Sequence, residues 1–118
     1  MNDNGLITFF GTNDLKKNRD FYEGKLCFKV YKDQGLCLIY DIPGGGKLGF
    51  CEHVKVLNDD KTPIITFVVD DVDEMYEKLN NNNAKLENKP KINKKFKIYH
   101  FFLKDPDGYT LEIQKFLD

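Results

Sequence analysis

The sequence predicts an α+β fold built from two βαβββ modules. One observation is the order of its patterns: a short β-prone run, an amphipathic helical segment and three further β-prone runs occur twice. The other is an internal repeat, because "ITFF" at 7–10 recurs as "ITFV" at 65–68, and Asp-Leu at 14–15 recurs as Asp-Val at 71–72. These anchors predict duplication of a unit of about 50 residues. Their separations differ by one residue, which predicts a slip between strand and helix in one copy.

The first module is predicted over residues 5–54. "LITFF" (6–10) is a short apolar strand, and the following segment (12–26) places Leu15, Tyr22 and Leu26 on one helical stripe. Three strands follow, "CFKVYKD" (27–33), "LCLIYDI" (36–42) and "KLGFCEHV" (47–54). The stretch "PGGGK" (43–47) precedes no helix, so it predicts a hairpin turn and not a phosphate-binding loop.

The second module is predicted over residues 63–117, after the polar connector "VKVLNDDKTP" (54–63). It begins with the strand "IITFVV" (64–69) and a helix over 70–82. Its other strands are "AKLEN" (84–88), "FKIYHFFLK" (96–104) and "YTLEIQKF" (109–116). The basic stretch "KPKINKK" (89–95) is interpreted as a solvated linker.

Length and composition predict one domain over residues 1–118. The chain is 41% hydrophobic with a net charge of -1, which gives no strong field to attract nucleic acid or an anionic membrane. No apolar run approaches the ~20 residues that span a bilayer, and the start "MNDNG" does not resemble a signal peptide. We therefore expect a soluble, cytoplasmic protein whose partners are a small molecule or a second copy of the chain.

The three cysteines, Cys27, Cys37 and Cys51, are odd in number and form no CxxC pair. Each lies in a segment with strand character. This pattern favours reduced thiols packed as small apolar side chains over a disulfide framework or a zinc site.

Two segments resemble the vicinal oxygen chelate superfamily, which includes glyoxalase I, extradiol dioxygenases, fosfomycin-resistance enzymes and bleomycin-resistance proteins. They are "NDLKKNRDFYEGKLCFKVYKDQG" (13–35) and "FFLKDPDGYTLEIQKF" (101–116), and the resemblance extends over about 5–117. Within the superfamily the chain looks most like the small glyoxalase-like proteins. The resemblance implies sheets curled into half-open barrels around a pocket, and a homodimer.

The resemblance also implies where a metal ion would bind. Metal-using members take ligands from the first and last strands of each module, and Glu112 matches their final-strand glutamate. Ile7 and Ile64 occupy the positions of the histidines, and Gly49 or Cys51 lies near the remaining position. Since divalent ions need three or four protein ligands, we expect no metal cofactor. The alternative is a Zn, Ni, Mg, Mn or Fe ion held by Glu112 with two histidines, His53 and His100.

The role of Glu112 depends on the strand face from which its side chain projects. Alternation puts it on one strand face with Thr110 and Gln114, and that face meets either water or a polar cavity. The resemblance favours the cavity, where Glu112 would act as a catalytic acid or base, or as a hydrogen-bond acceptor. The simplest hairpin register puts Phe101 opposite Glu112 and His100 on the other face, although a shift of one residue stays open.

The sequence therefore predicts a protein that binds a small organic ligand without the usual metal, as the bleomycin-resistance branch does. Aromatic side chains in the strands would line its pocket. The predicted ligand-binding residues are Phe9, Tyr40, Phe50, Thr66, Tyr99, Phe101 and Glu112. The alternative is a metal-dependent lyase, isomerase or thiol transferase of the glyoxalase I type, so the sequence leaves open whether the protein is an enzyme.

Overall fold

A computed structural model describes residues 5–57 and 63–118. The chain divides into two compact units, Met1–Leu57 and Asn58–Asp118, which are described separately. The first four residues of the predicted polar start, and residues 58–62 of the predicted connector, lie outside the described residues. Within the described ranges, no helix has the length and apolar character needed to cross a lipid bilayer.

The first unit is a four-stranded sheet covered by one helical segment. Its elements are β1 (Ile7–Gly11), α1 (Leu15–Arg19), β2 (Lys29–Asp33), β3 (Cys37–Asp41) and β4 (Lys47–Cys51). The strand order is β1-β4-β3-β2, with β1 parallel to β4 and the other pairs antiparallel. Asp14 caps α1 by accepting hydrogen bonds from the backbone N–H groups of Lys16 and Lys17. The helix continues as a π-helical turn over Asp20–Lys25.

Aromatic side chains fill the layer between this helical segment and the sheet. Tyr22 is fully buried and stacks on Phe50 with 4.5 Å between ring centroids. Tyr40 is also fully buried, and its hydroxyl donates to Asn18 Oδ1 at 2.8 Å. Burial raises the pKa of Tyr40, because the charged phenolate would lose its hydration.

The second unit repeats this arrangement and adds a strand. Its elements are β5 (Ile65–Val68), α2 (Val72–Asn81), β6 (Lys85–Leu86), β7 (Lys91–Asn93), β8 (Ile98–Lys104) and β9 (Thr110–Phe116). The order β5-β9-β8-β6 reproduces that of the first unit, again with the first strand parallel to the last. The α+β prediction is confirmed. The linker interpretation of 89–95 is wrong, because β7 pairs with β8 within that stretch.

One face of the second sheet packs against α2. Val72 and Leu79 of α2 are buried, and Tyr76 meets the ring of Phe101 edge-on at 5.2 Å. The Tyr99 hydroxyl donates to Asp73 at 2.6 Å, and this hydrogen bond raises the pKa of Tyr99. Side chains that alternate with Tyr99 and Phe101 along β8 therefore lie on the face away from the helix.

The DPDG turn sets the register between β8 and β9. Asp105 Oδ1 accepts from the N–H groups of Asp107 and Tyr109, both at 2.9 Å, and the Asp105 carbonyl accepts from Gly108 at 3.0 Å. Gly108 has a φ of 91°, so the turn ends in a left-handed residue that adds one position to the loop. Lys104 therefore pairs with Thr110.

This register corrects a prediction about two site residues. Phe102, and not Phe101, lies opposite Glu112, while His100 pairs with Gln114. His100 and Glu112 consequently share a face of the sheet. The simplest register from the sequence was wrong by the one residue that the Gly108 bulge contributes.

The cysteine predictions are also corrected. Cys37 and Cys51 are directly opposite in the β3–β4 pair, with Cα atoms 4.1 Å apart, and they form a disulfide. The expectation of reduced thiols missed this pairing because the cross-strand register cannot be read from cysteine spacing. Cys27 is exposed and follows the helical segment with a φ of 61°, so it is neither packed nor in a strand.

Candidate functional site

Glu112 is held by two side chains from the neighbouring strands of the second unit. Thr66 Oγ1 donates to Oε1 of Glu112 at 2.7 Å, and His100 Nδ1 lies 2.7 Å from Oε2. The Glu112 side chain is only 12% exposed. The interpretation of Glu112 as a solvent-facing strand residue is therefore wrong.

The strand pairing explains why these three residues meet. β9 lies between β5 and β8, and Thr66 is the direct parallel partner of Glu112. On the other side His100 is the diagonal neighbour of Glu112, two residues along β8 from the direct partner Phe102. Such diagonal neighbours are within reach of long side chains on the same face. We call Thr66, His100 and Glu112 the carboxylate cluster.

His100 carries the unusual feature of this cluster. Its side chain is 6% exposed, and its Nε2 atom is buried without a hydrogen-bond partner among the described residues. Because an ionised carboxylate only accepts hydrogen bonds, Nδ1–H donates to Glu112, and Nε2 of a neutral ring is then an acceptor. Leaving such an atom unpaired costs about 1–3 kcal/mol, which a donor on a bound molecule would recover.

Apolar side chains accompany the carboxylate cluster on the same face. The ring of Phe102 meets that of His100 edge-on with 5.2 Å between centroids. Val68 and Phe116, which share this face by strand alternation, are 61% and 54% exposed. The face thus combines the carboxylate cluster with solvent-exposed apolar surface. This combination is found in sites that bind small organic molecules.

The structure places the predicted ligand-binding residues in three environments. Thr66 and Glu112 belong to the carboxylate cluster. Phe9, in the first unit, is 48% exposed and pairs with Gly49 on the sheet face away from the helical segment. The other four lie on the helix-covered faces: Tyr40, Phe50, Tyr99 and Phe101.

The predicted inward direction of those four aromatic residues is wrong for a physical reason. Helix-to-sheet packing needs bulky apolar side chains on the covered face, and three of the four residues have no exposed surface. Tyr99 is partly buried, and its hydroxyl reaches the helix residue Asp73. Alternation in the sequence identifies two faces without telling which one a helix covers.

Each unit has a surface groove beside its helix. A groove of about 290 Å³ is lined by Leu15, Lys16, Arg19, Asp33, Gly35 and Leu38. Another of about 230 Å³ is lined by Val69, Asp71, Glu74, Met75 and Lys78. Neither groove includes a residue predicted to bind ligand, so neither bears on the carboxylate cluster.

The carboxylate cluster does not fit the metal site of the resembling enzymes. The cluster offers one carboxylate and one imidazole as ligands, and Ile64, at a histidine position, has no ligand atom. A divalent ion bound there would lack the three or four protein ligands that it needs. His53, named in the alternative set, lies in the first unit close to Cys37 and Cys51.

A protein-family model matches most of the sequence of this chain. The model of the Glyoxalase/Bleomycin resistance protein/Dioxygenase superfamily matches residues 7–113. The chain belongs to this superfamily. The resemblance carried by the DPDG hairpin and the first helix is confirmed. No curated protein matches the sequence significantly.

Several solved structures share the fold of this chain. A glyoxalase/bleomycin resistance protein/dioxygenase from Alicyclobacillus acidocaldarius has a TM-score of 0.81 at 18% identity, with 98% of this chain and 93% of that chain covered. TioX from Micromonospora sp. ML1 has a TM-score of 0.79 at 15% identity, covering 96% and 98%. Lactoylglutathione lyase from Agrobacterium tumefaciens has a TM-score of 0.74 at 18% identity, covering 97% and 94%.

Proposed function

We propose that this superfamily member binds a small organic molecule without a metal ion, with the carboxylate cluster fixing the polar group of that molecule. One observation carries the proposal: Nε2 of His100 is buried and has no partner among the described residues, while Nδ1 is tied to Glu112. Glu112 thereby fixes the tautomer that leaves Nε2 as an acceptor. The bound molecule would donate an N–H or O–H group to it.

The proposal also assigns separate roles to the residues. His100 would contact the ligand, whereas Glu112 and Thr66 would position His100. Glu112, predicted to be catalytic, is therefore a positioning residue in this account. Exposed apolar side chains on the same face, among them Val68, would contact the carbon skeleton. The homodimer and the cytoplasmic location remain predictions from the sequence.

The alternative of a metal-dependent lyase, isomerase or thiol transferase has less support. It needs three or four protein ligands around one ion, whereas the carboxylate cluster supplies one carboxylate and one imidazole. It also needs further ligands where the sequence has Ile7 and Ile64. The likeness to a lactoylglutathione lyase concerns the fold, since the identity is 18%.

Elemental analysis tests the proposal against this alternative. The protein is purified without chelator, its metal content is measured, and co-purified organic molecules are identified by mass spectrometry. We expect an organic molecule that remains bound after chelator treatment. Stoichiometric metal that is present in the wild type and lost in Glu112→Gln would contradict the proposal.

A thermal-shift screen of small organic molecules on the chelator-treated protein provides the second arm. A ligand at 100 times its Kd stabilises the folded state by about 2.7 kcal/mol, enough to raise the unfolding midpoint measurably. We expect this rise in the wild type and its loss in Glu112→Gln. Glu77→Gln is the matched control, because Glu77 is an exposed carboxylate on α2. Equal shifts in both variants would count against a role for Glu112.

A further inference from the structure

We propose that Cys37, Cys51 and His53 form a second site, which binds a thiophilic divalent ion such as Zn²⁺ when the disulfide is reduced and releases it when the disulfide forms. The ligand atoms of these three residues all lie within 4.8 Å of one another. The site belongs to the first unit and shares no residue with the carboxylate cluster. The proposal of this second site does not depend on the proposed ligand-binding function.

Strand pairing brings the two sulfur atoms together. Cys37 begins β3 and Cys51 ends β4, and the antiparallel register places them directly opposite. Both side chains are buried, with residue exposures of 8% and 3%. Backbone pairing continues beyond them, since the Glu52 N–H donates to the Leu36 carbonyl at 2.9 Å. The sulfur atoms therefore remain neighbours whether or not they are bonded.

A tight turn brings His53 back toward this pair. The Val54 N–H donates to the Cys51 carbonyl at 3.4 Å, which reverses the chain immediately after β4. The returning backbone passes against Gly11, where a Cβ atom would lie only 2.3 Å from the Val54 carbonyl oxygen. Gly11 thus permits the close approach of the turn. His53 is exposed, so an ion can reach the buried sulfur atoms from its side.

Two thiolates and one imidazole are a ligand set that zinc uses, with a fourth tetrahedral position left for water or another ligand. With zinc–sulfur bonds of about 2.3 Å, the two sulfur atoms would need to lie about 3.8 Å apart. Rotation of the cysteine side chains on fixed strands supplies a separation of this size. The disulfide form offers no thiolate, so it cannot make these bonds.

The redox step balances with a thiol reductant. Two R–SH molecules supply two electrons and two protons: the Cys37–Cys51 bond breaks, two cysteine thiols form, and the reductant becomes R–S–S–R. Binding of Zn²⁺ then releases two thiol protons to the solvent as the thiolates coordinate the ion. In the reverse step R–S–S–R takes up two electrons from the thiolates and two protons from the solvent to give two R–SH molecules, while the Cys37–Cys51 disulfide forms and the ion is released. The fraction of sites that hold the ion would therefore depend on the thiol–disulfide redox potential of the surroundings.

Cobalt(II) absorption tests the proposal, because thiolate ligands give charge-transfer bands and tetrahedral geometry gives intense visible bands. The chain is reduced anaerobically with a phosphine, which does not compete as a thiol ligand, and titrated with Co²⁺ and then Zn²⁺. We expect one Co²⁺ per reduced chain, displaced by Zn²⁺, and none on the oxidised chain. Cys51→Ser should abolish the thiolate bands and His53→Ala should weaken binding at least tenfold. Cys27→Ser, which alters the free exposed cysteine, should change nothing.

Absence of thiolate–cobalt bands in the reduced wild type would overturn the proposal, as would bands that persist in Cys51→Ser. A second readout covers the case in which reduction loosens the fold. Circular dichroism should show that Zn²⁺ raises the unfolding midpoint of the reduced wild type more than that of reduced His53→Ala. An equal rise in both would also overturn it.

Discussion

Thr66 on β5 and His100 on β8 hydrogen-bond to different oxygens of Glu112, each at 2.7 Å. The carboxylate on the central strand β9 therefore joins three strands through side chains as well as through backbone pairing. The Glu112 carboxylate also affects the chemistry of His100. Because it accepts from Nδ1–H, it leaves Nε2 of the ring free to accept a hydrogen bond from a ligand.

Replacing Thr66 by valine should destabilise the protein slightly while leaving the fold intact. Valine has nearly the shape of threonine but cannot donate to Glu112 Oε1. We expect a loss of about 0.5–1.5 kcal/mol in the free energy of unfolding, measured by urea denaturation. Thr8→Val, at an exposed position of β1, is the control and should change stability by about 0.5 kcal/mol or less. Equal effects of the two substitutions would contradict the Thr66 contact.

Replacing His100 by phenylalanine should cost more. The Glu112 side chain, 12% exposed, would lose the partner of Oε2 and keep a poorly hydrated charge. We expect a loss of about 1–3 kcal/mol at pH 7. Glu112→Leu combined with His100→Phe should recover part of that loss, because it removes the unpaired charge as well. Additive losses in a double-mutant cycle would show that the two side chains do not interact.

Alkaline titration should expose the environment of Tyr40. Burial raises its folded-state pKa above the ordinary 10.0, so above that pH the unfolded chain releases the phenol proton while the folded chain keeps it. This contribution to stability is complete below about pH 10 and is lost as the pH rises toward the folded-state pKa. Tyr40→Phe should make the alkaline decline of the unfolding free energy shallower.

The same substitution should lower stability at pH 7 by about 1–3 kcal/mol, because the buried Asn18 Oδ1 loses the Tyr40 hydroxyl as its donor. Tyr31→Phe is the control, since Tyr31 is 51% exposed. Urea denaturation at pH 7 and at several pH values above 9 measures both effects. An unchanged alkaline slope in Tyr40→Phe would contradict the burial of the phenol.

Two glycines of the first unit should respond in opposite ways to alanine. At Gly11 a Cβ atom would lie 2.3 Å and 2.5 Å from the carbonyl oxygens of Val54 and Lys55, so the backbone must move. We expect Gly11→Ala to destabilise by about 1–3 kcal/mol or more. Gly24, in the π-helical turn, has no atom within 4 Å of the added Cβ, and Gly24→Ala should be neutral or stabilise by up to about 1 kcal/mol. Equal unfolding midpoints in thermal denaturation would contradict the close approach at Gly11.

The local features of the fold could be predicted from the sequence. Asp71 caps α2 through its hydrogen bond from the Glu74 N–H, as Asp14 caps α1, and the DPDG segment forms a tight turn. Each depends on residues within four positions of one another, so the local sequence contains the necessary information. The order of strand, helix and further strands along each unit was also predicted from the duplicated pattern.

Nonlocal features were harder to predict. The left-handed Gly108 shifted the β8–β9 register by one residue, which moved His100 onto the face of Glu112. The glycine at the end of the DPDG turn was the sequence signal that could have predicted this shift, because a left-handed glycine there adds one residue to the hairpin loop. The Cys37–Cys51 disulfide depends on the β3–β4 register, and cysteine spacing does not specify it. Both errors concern which side chains face each other across strands.

The position of the ring proton of His100 tests the central claim most directly. Long-range ¹H–¹⁵N NMR should place it on Nδ1 in the wild type, with Nε2 unprotonated, because the Glu112 carboxylate can only accept. In Glu112→Gln the side-chain amide can donate to Nδ1, so the proton should move to Nε2. A wild-type spectrum with the proton on Nε2 and none on Nδ1 would contradict the account.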